Sequence, residues 1–172
     1  MRLKLTIALS GLLALPAGAG TFDVSVEVPQ LNVAEYHRPY VAIWIADAGN
    51  QSAANLAVWY QQDRPGAKES GTKWLPDLRQ WWRKTGRSLD LPVDGVTGPT
   101  RPAGEHVLQF DDKDPRLAGL KPGRYTLVIE AAREVGGREL LKIPFDWPAE
   151  AGAEAHVQGE SELGRAELRI AP

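Results

Sequence analysis

Residue types able to do chemistry are scarce in this chain. His37, His106 and His156 lie far apart, and none has an Asp or Glu three or four residues on along a helical pattern, so spacing defines no metal site. No serine sits in a G-x-S-x-G elbow, which leaves a hydrolytic triad without local support. The acidic pairs Asp111-Asp112 and Asp63 with Glu69 fall in turn segments and read as solvated charges; glycosidase carboxylates come from separate strands. Cysteine is absent and Met1 is the only methionine, so no sulfur ligand for haem, copper or an iron–sulfur cluster remains beyond the N-terminus. What is left is aromatic and hydroxylic: six tryptophans, and a stretch reading Asp94-Gly95-Val96-Thr97-Gly98-Pro99-Thr100.

That stretch lies within residues 88–106, which hold three Pro and three Gly, too many for a central strand or a helix. A long loop inside a compact domain is uncommon and often functional, so this is where function is expected. Just before it, KWLPDLRQWWRKTGR places Pro76 at a first helical position, Asp77 in the first turn, Arg83 and Lys84 in the last, and Gly86 at the stop. The pattern predicts a helix of about two turns over 76–84. Leu75, Leu78 and Trp82 form its apolar face, expected to lie across one end of the domain. Trp44 and Trp59 alternate with other residues on strand-like segments and read as core. Trp74, Trp81 and Trp82 cluster beside the helix and the loop, as either an aromatic platform for a planar ligand or an apolar plug.

Seven segments carry strand signals: 22–28, 40–46, 54–60, 106–110, 124–131, 139–145 and 166–170. Short strands separated by Gly and Pro turns predict an all-β sandwich with one short helix. In LKPGRYTLVIEA, a Pro-Gly turn followed by Tyr125 at the start of an alternating strand resembles the tyrosine corner of immunoglobulin-like and fibronectin-like domains, which implies an immunoglobulin/fibronectin-like β-sandwich.

The N-terminus carries Arg2 and Lys4, an apolar run from Leu5 to Leu15, Pro16 and the small triplet Ala17-Gly18-Ala19, the layout of a secretory signal peptide over residues 1–19. The apolar run is about half of the roughly 20 residues a spanning helix needs, so no stable membrane insertion is expected. Residues 20–172 are expected to form a single β-sandwich domain in the periplasm. The chain has 20 Lys and Arg against 22 Asp and Glu, and losing Arg2 and Lys4 leaves 18 basic residues. That balance gives no electrostatic footprint for nucleic acid.

Two resemblances add to this reading. The run from Asp94 to Thr100 resembles the target of the bacterial flavin transferase that attaches FMN covalently to exported proteins: Asp, two residues, Ser or Thr, Gly, Ala, then Ser or Thr. The resemblance makes Thr100 the acceptor, through a phosphodiester, and Asp94, Thr97 and Gly98 recognition positions. It also implies an exposed, slim peptide free of regular structure. Pro99 stands where Ala is usual; it lacks an N–H but suits an extended peptide. The chain as a whole resembles a family of predicted periplasmic proteins of unknown function, through VEVP, RPYVAIWIAD, LAVWY, KWLPDLRQWWR, the DGVTG-x-T-RP-x-G loop and LKPGRYTLVIEAAREVGGRE. Such proteins look like partners of transmembrane PepSY-type reductases linked to iron assimilation.

Together these imply a periplasmic electron-transfer flavoprotein, a carrier more than a self-contained enzyme, with FMN on Thr100 and with Trp74, Trp81 and Trp82 as the nearest wall to shield the ring. The alternative is a cofactor-free immunoglobulin-like binding or adaptor module, with Pro99 marking a decayed attachment site.

Overall fold

The computed structural model describes residues 20–63, 65–66, 69–111, 113–149 and 152–171. The expected signal peptide over residues 1–19 lies outside the described residues, as does Asp112 of the acidic pair.

Among the described residues nine strands form two sheets: β1 Thr21–Val28, β2 Tyr40–Ala46, β3 Ser52–Tyr60, β4 Thr97–Pro99, β5 Gly104–Asp111, β6 Gly123–Ala132, β7 Arg138–Trp147, β8 Ala153–Gln158 and β9 Arg165–Ala171. The four-stranded sheet runs β5-β1-β9-β8 and the five-stranded sheet β4-β3-β2-β6-β7. All pairings are antiparallel except β3 with β4. Their inner faces meet in a core that includes Phe22, Val24, Val26, Ile43, Leu56, Trp59, Leu127, Ile129 and Leu168. The protein is thus an all-β sandwich, as expected, with the seven anticipated strands extended by β4 and β8. Tyr125 builds the tyrosine corner: its Oη donates to Lys121 O at 2.9 Å and accepts from Lys121 N at 3.1 Å.

The helical segment departs from expectation twice. It starts as a 3₁₀ turn over Gly71–Asp77, so Pro76 lies inside that turn, and α1 covers only Arg79–Lys84. The reason is a partner far away in sequence: Glu130 of β6 accepts from Gln80 N at 3.0 Å and Trp81 N at 2.8 Å, filling the cap that Leu78 cannot supply. The segment also covers the outer face of the five-stranded sheet and not an end of the sandwich. Leu75, Leu78 and Trp81 pack on Ala42, Trp44, Val58, Tyr60 and Val128 in a second apolar cluster. β2 and the end of β3 are therefore buried on both faces, which is why YVAIWIA reads as one unbroken apolar run.

Candidate functional site

The anticipated long loop is more ordered than the flavin-target resemblance implies. Val93 opens a turn in which Val96 N and Thr97 N both donate to Val93 O, at 3.1 and 2.9 Å, while Thr97 Oγ1 accepts from Val93 N at 2.9 Å. Gly95 sits at φ +73, left-handed backbone that a side chain would strain. From the β5–β6 connection Arg116 reaches over, its Nη1 donating to Gly95 O at 2.6 Å while Asp114 holds the same guanidinium at 2.6 Å. That hydrogen bonding with Arg116 keeps the Asp114 carboxyl below the usual range.

Thr97, Gly98 and Pro99 then form β4, an edge strand parallel to β3 with Val58 opposite Thr97 and Tyr60 opposite Pro99. The expectation of a peptide free of regular structure is corrected here: the extended shape is present, fixed by a strand. It also accounts for Pro99. A parallel ladder uses alternate residues, and Val58 N donates to Val96 O at 2.9 Å. Pro99 therefore falls, with Thr97, in the set whose backbone nitrogens face away from β3, where a missing N–H costs no ladder bond. Gln62 Nε2 bridges Tyr60 O and Gly98 O, each at 3.1 Å, closing the end of the pair.

Beyond β4 the chain reaches a cavity of about 720 Å³, at the end of the five-stranded sheet where β3, β4 and β6 finish and β2 begins. Thr100, Trp74, Tyr36, His37, Arg133 and Val135 are among its walls. The volume lies within the roughly 300–1,000 Å³ typical of small-molecule sites. Trp74 is 43 % and Val135 77 % exposed, so two of the large apolar residues most open to water stand at this one place. Tyr40, also in the wall, donates to Gly71 O at 3.0 Å, and burial pushes its phenol pKa above the usual range. His37 bridges Glu35 at 3.0 Å and Glu134 at 3.5 Å.

The innermost charge is Arg133, in the turn after β6. Glu162 holds it through Nε at 2.8 Å and Nη2 at 3.2 Å, and the two side chains are only 6 % and 4 % exposed. Gly136 makes room for this pair, because a Cβ there would lie 2.5 Å from the guanidinium carbon. Gly137 N donates to Glu162 at 2.7 Å. Among the described residues, two atoms of the wall stay buried without a hydrogen-bond partner: Arg133 Nη1 and Tyr36 Oη. Outside the wall, Nε of Arg101, the residue after Thr100, is also buried without a partner among the described residues, and its guanidinium carbon lies 5.2 Å from the centroid of the Trp59 ring.

The structure thus brings Thr100 and Trp74 to one cavity and sends the other expected wall residues elsewhere. Trp81 is fully buried, its indole donating to Asn55 Oδ1 at 2.9 Å, and packs between sheet and helix. Trp82 is half-buried against the same cluster, 6.3 Å from Trp81. Asp94 is exposed at the turn, Thr97 ties that turn, and Gly98 lies against the edge of Trp59, 3.4 Å from where its Cβ would be. His37 enters the sequence reading only as one of three histidines that define no metal site, and Tyr36 and Arg133 do not enter it, since these residues come from loops about a hundred residues apart and share no local pattern. Among the described residues no group of three His, Asp or Glu is placed to hold a metal ion, and no helix is long and apolar enough to cross a membrane.

Residues 21–165 match the model of the DUF2271 family, described as predicted periplasmic proteins. The chain belongs to this family of periplasmic proteins. No curated protein and no solved structure matches it.

Proposed function

We propose that this is a periplasmic electron carrier whose redox group is FMN, attached covalently at Thr100. The observation that carries the reading is that Thr100, the acceptor position of the flavin-transferase target pattern, follows an ordered edge strand and lines a cavity of about 720 Å³ that Trp74 also lines. Attachment needs a hydroxyl presented on a fixed, extended peptide. Thr100 Oγ1 attacks the FMN-side phosphorus of FAD, the diphosphate bond breaks, AMP leaves, and the hydroxyl proton passes to the leaving phosphate or to water. The transferase supplies the catalysis; this chain supplies the peptide.

The residues present suit such a group. The cavity has the volume of a small-molecule site, aromatic and apolar walls at Trp74, Tyr36 and Val135, and buried polar atoms left without partners. A flavin carrier needs no sulfur or metal ligand from the chain, consistent with a composition lacking cysteine. Electrons come, on this reading, from a transmembrane PepSY-type reductase and go to an acceptor such as a ferric complex, in support of iron assimilation.

Exported co-expression with a flavin transferase should yield yellow protein, with the gain of one FMN mapped to the peptide containing Thr100. Thr100→Ala should be colourless and equally well folded. Colourless wild type, in the presence of a transferase active on other targets, would favour the cofactor-free adaptor module.

A further inference from the structure

The wall of the cavity opposite Thr100 in sequence carries information that attachment alone does not use. Arg133 is buried, fixed by Glu162 on two nitrogens and still has Nη1 without a partner. Tyr36 Oη is in the same condition. Buried donors without partners are rare in folded proteins, and two from one cavity wall indicate a missing acceptor. Trp74 and Val135 keep exposed apolar surface at the same cavity, which indicates a missing apolar face. Val135 holds this place at φ +52, backbone that a β-branched residue rarely adopts. A ligand that answers all of these is planar and aromatic, with carbonyl acceptors along one edge.

We propose that the cavity seats the ring system of the FMN tethered at Thr100, with Trp74 against its face and with Arg133 and Tyr36 donating to the carbonyls of its pyrimidine edge. The inference rests on the attachment reading and adds to it where the ring goes and what sets its potential. Taking up two electrons and one proton leaves the ring a monoanion, with the charge concentrated on that pyrimidine edge. A fixed guanidinium there stabilises the reduced form over the oxidised one and raises the midpoint potential. Lys cannot replace it, since a single ammonium cannot serve Glu162 with two parallel bonds and keep a donor turned the other way.

The test uses full-length protein exported and loaded with FMN by the transferase, with loading scored by intact mass for every variant. Wild type should show quenched flavin emission and anisotropy near that of the whole protein. Trp74→Ala should recover much of the emission without changing the loading. Tyr36→Phe, which removes one hydroxyl, should lower the midpoint potential. The double substitution Arg133→Gln with Glu162→Gln removes the buried ion pair as a unit and should lower the potential further, with folding checked by circular dichroism. Loaded wild type with the emission and anisotropy of a free, mobile flavin, or potentials unmoved by Tyr36→Phe and the double substitution, would overturn the seating and leave attachment standing. Should wild type take no FMN, attachment fails and the cavity is tested directly. Free FMN at millimolar concentration, about what a short tether supplies, must then gain anisotropy on wild type and lose it on Tyr36→Phe and Trp74→Ala. Failure there overturns the seating as well.

Discussion

Two carboxylate–guanidinium pairs flank the end of β6, and they are finished differently. Under the helical layer, Glu130 is fully buried and its two oxygens are taken by Gln80 N, Trp81 N and Arg138 Nη1, the last at 2.8 Å. At the cavity, Glu162 is as thoroughly occupied, by Arg133 and Gly137, but the guanidinium it holds has a nitrogen left over. Both pairs carry the cost of desolvated charge. The first offsets it within the fold by docking a helix that lacks its own cap. The second is closed on the protein side and leaves Arg133 Nη1 buried without a partner among the described residues, the donor that the proposed ligand would complete. A buried charge with every partner present marks architecture; one with a donor to spare marks a place for something else.

Breaking the closed pair should have the largest effect. Glu130→Ala removes the cap from α1 and leaves Gln80 and Trp81 N–H groups buried without acceptors, at a cost of about 3 kcal/mol. The midpoint of urea unfolding should fall accordingly, and a change below about 0.5 kcal/mol would show that the helix docks by apolar contact alone.

A third carboxylate sharpens the contrast through pH. Burial works to raise the pKa of Glu139, but donors from Glu160, Leu163 and Ser161 outweigh it and hold the carboxyl below its usual range. A folded-state value below the unfolded one contributes stability that is complete above the unfolded value, about 4.3 for Glu, and is lost as pH falls through the folded value. Asp114 behaves in the same sense. Stability should therefore decline below about pH 4.3. Glu139→Gln should lose about 1 kcal/mol at neutral pH and show a shallower acid decline; an identical acid slope would contradict the assignment.

On the open side, Val135→Gly should relieve the left-handed backbone and raise stability by about 1 kcal/mol, read as a higher thermal midpoint. A lower midpoint would mean that the valine side chain is held by contacts worth more than the strain. Thr100→Ala should be the quietest for the fold, within about 0.5 kcal/mol, while removing the attachment.

How much of this was legible in the sequence depends on how local each cause is. The alternating β1 and the tyrosine corner at Tyr125 announce themselves within a few residues. β8 is an edge with little buried surface and only Val157 as a β-branched residue, so its pattern is faint. β4 contains Gly98 and Pro99, which signal a turn, and is a strand only because β3 lies beside it. Local sequence misplaces the helix start because the cap is Glu130, about fifty residues further on. Helical spacing puts Trp82 on the apolar face where Trp81 is the residue fully buried, since the 3₁₀ start rotates the register that a uniform helix would give. The motif within the loop was visible; the cavity beside it was not, because Tyr36, Trp74, Thr100 and Arg133 meet only once β2, β3, β4 and β6 lie side by side in one sheet.

The central claim is that the loop from Asp94 to Thr100 is a working attachment site whose one irregular residue, Pro99, turns its nitrogen away from the ladder. The most direct measurement is intact mass for wild type, Pro99→Ala and Thr100→Ala after export beside an active flavin transferase. The expected result is one FMN on wild type and on Pro99→Ala to the same extent, and none on Thr100→Ala. FMN on Pro99→Ala alone would mean that the proline has closed the site, and FMN on none of the three would contradict the account outright.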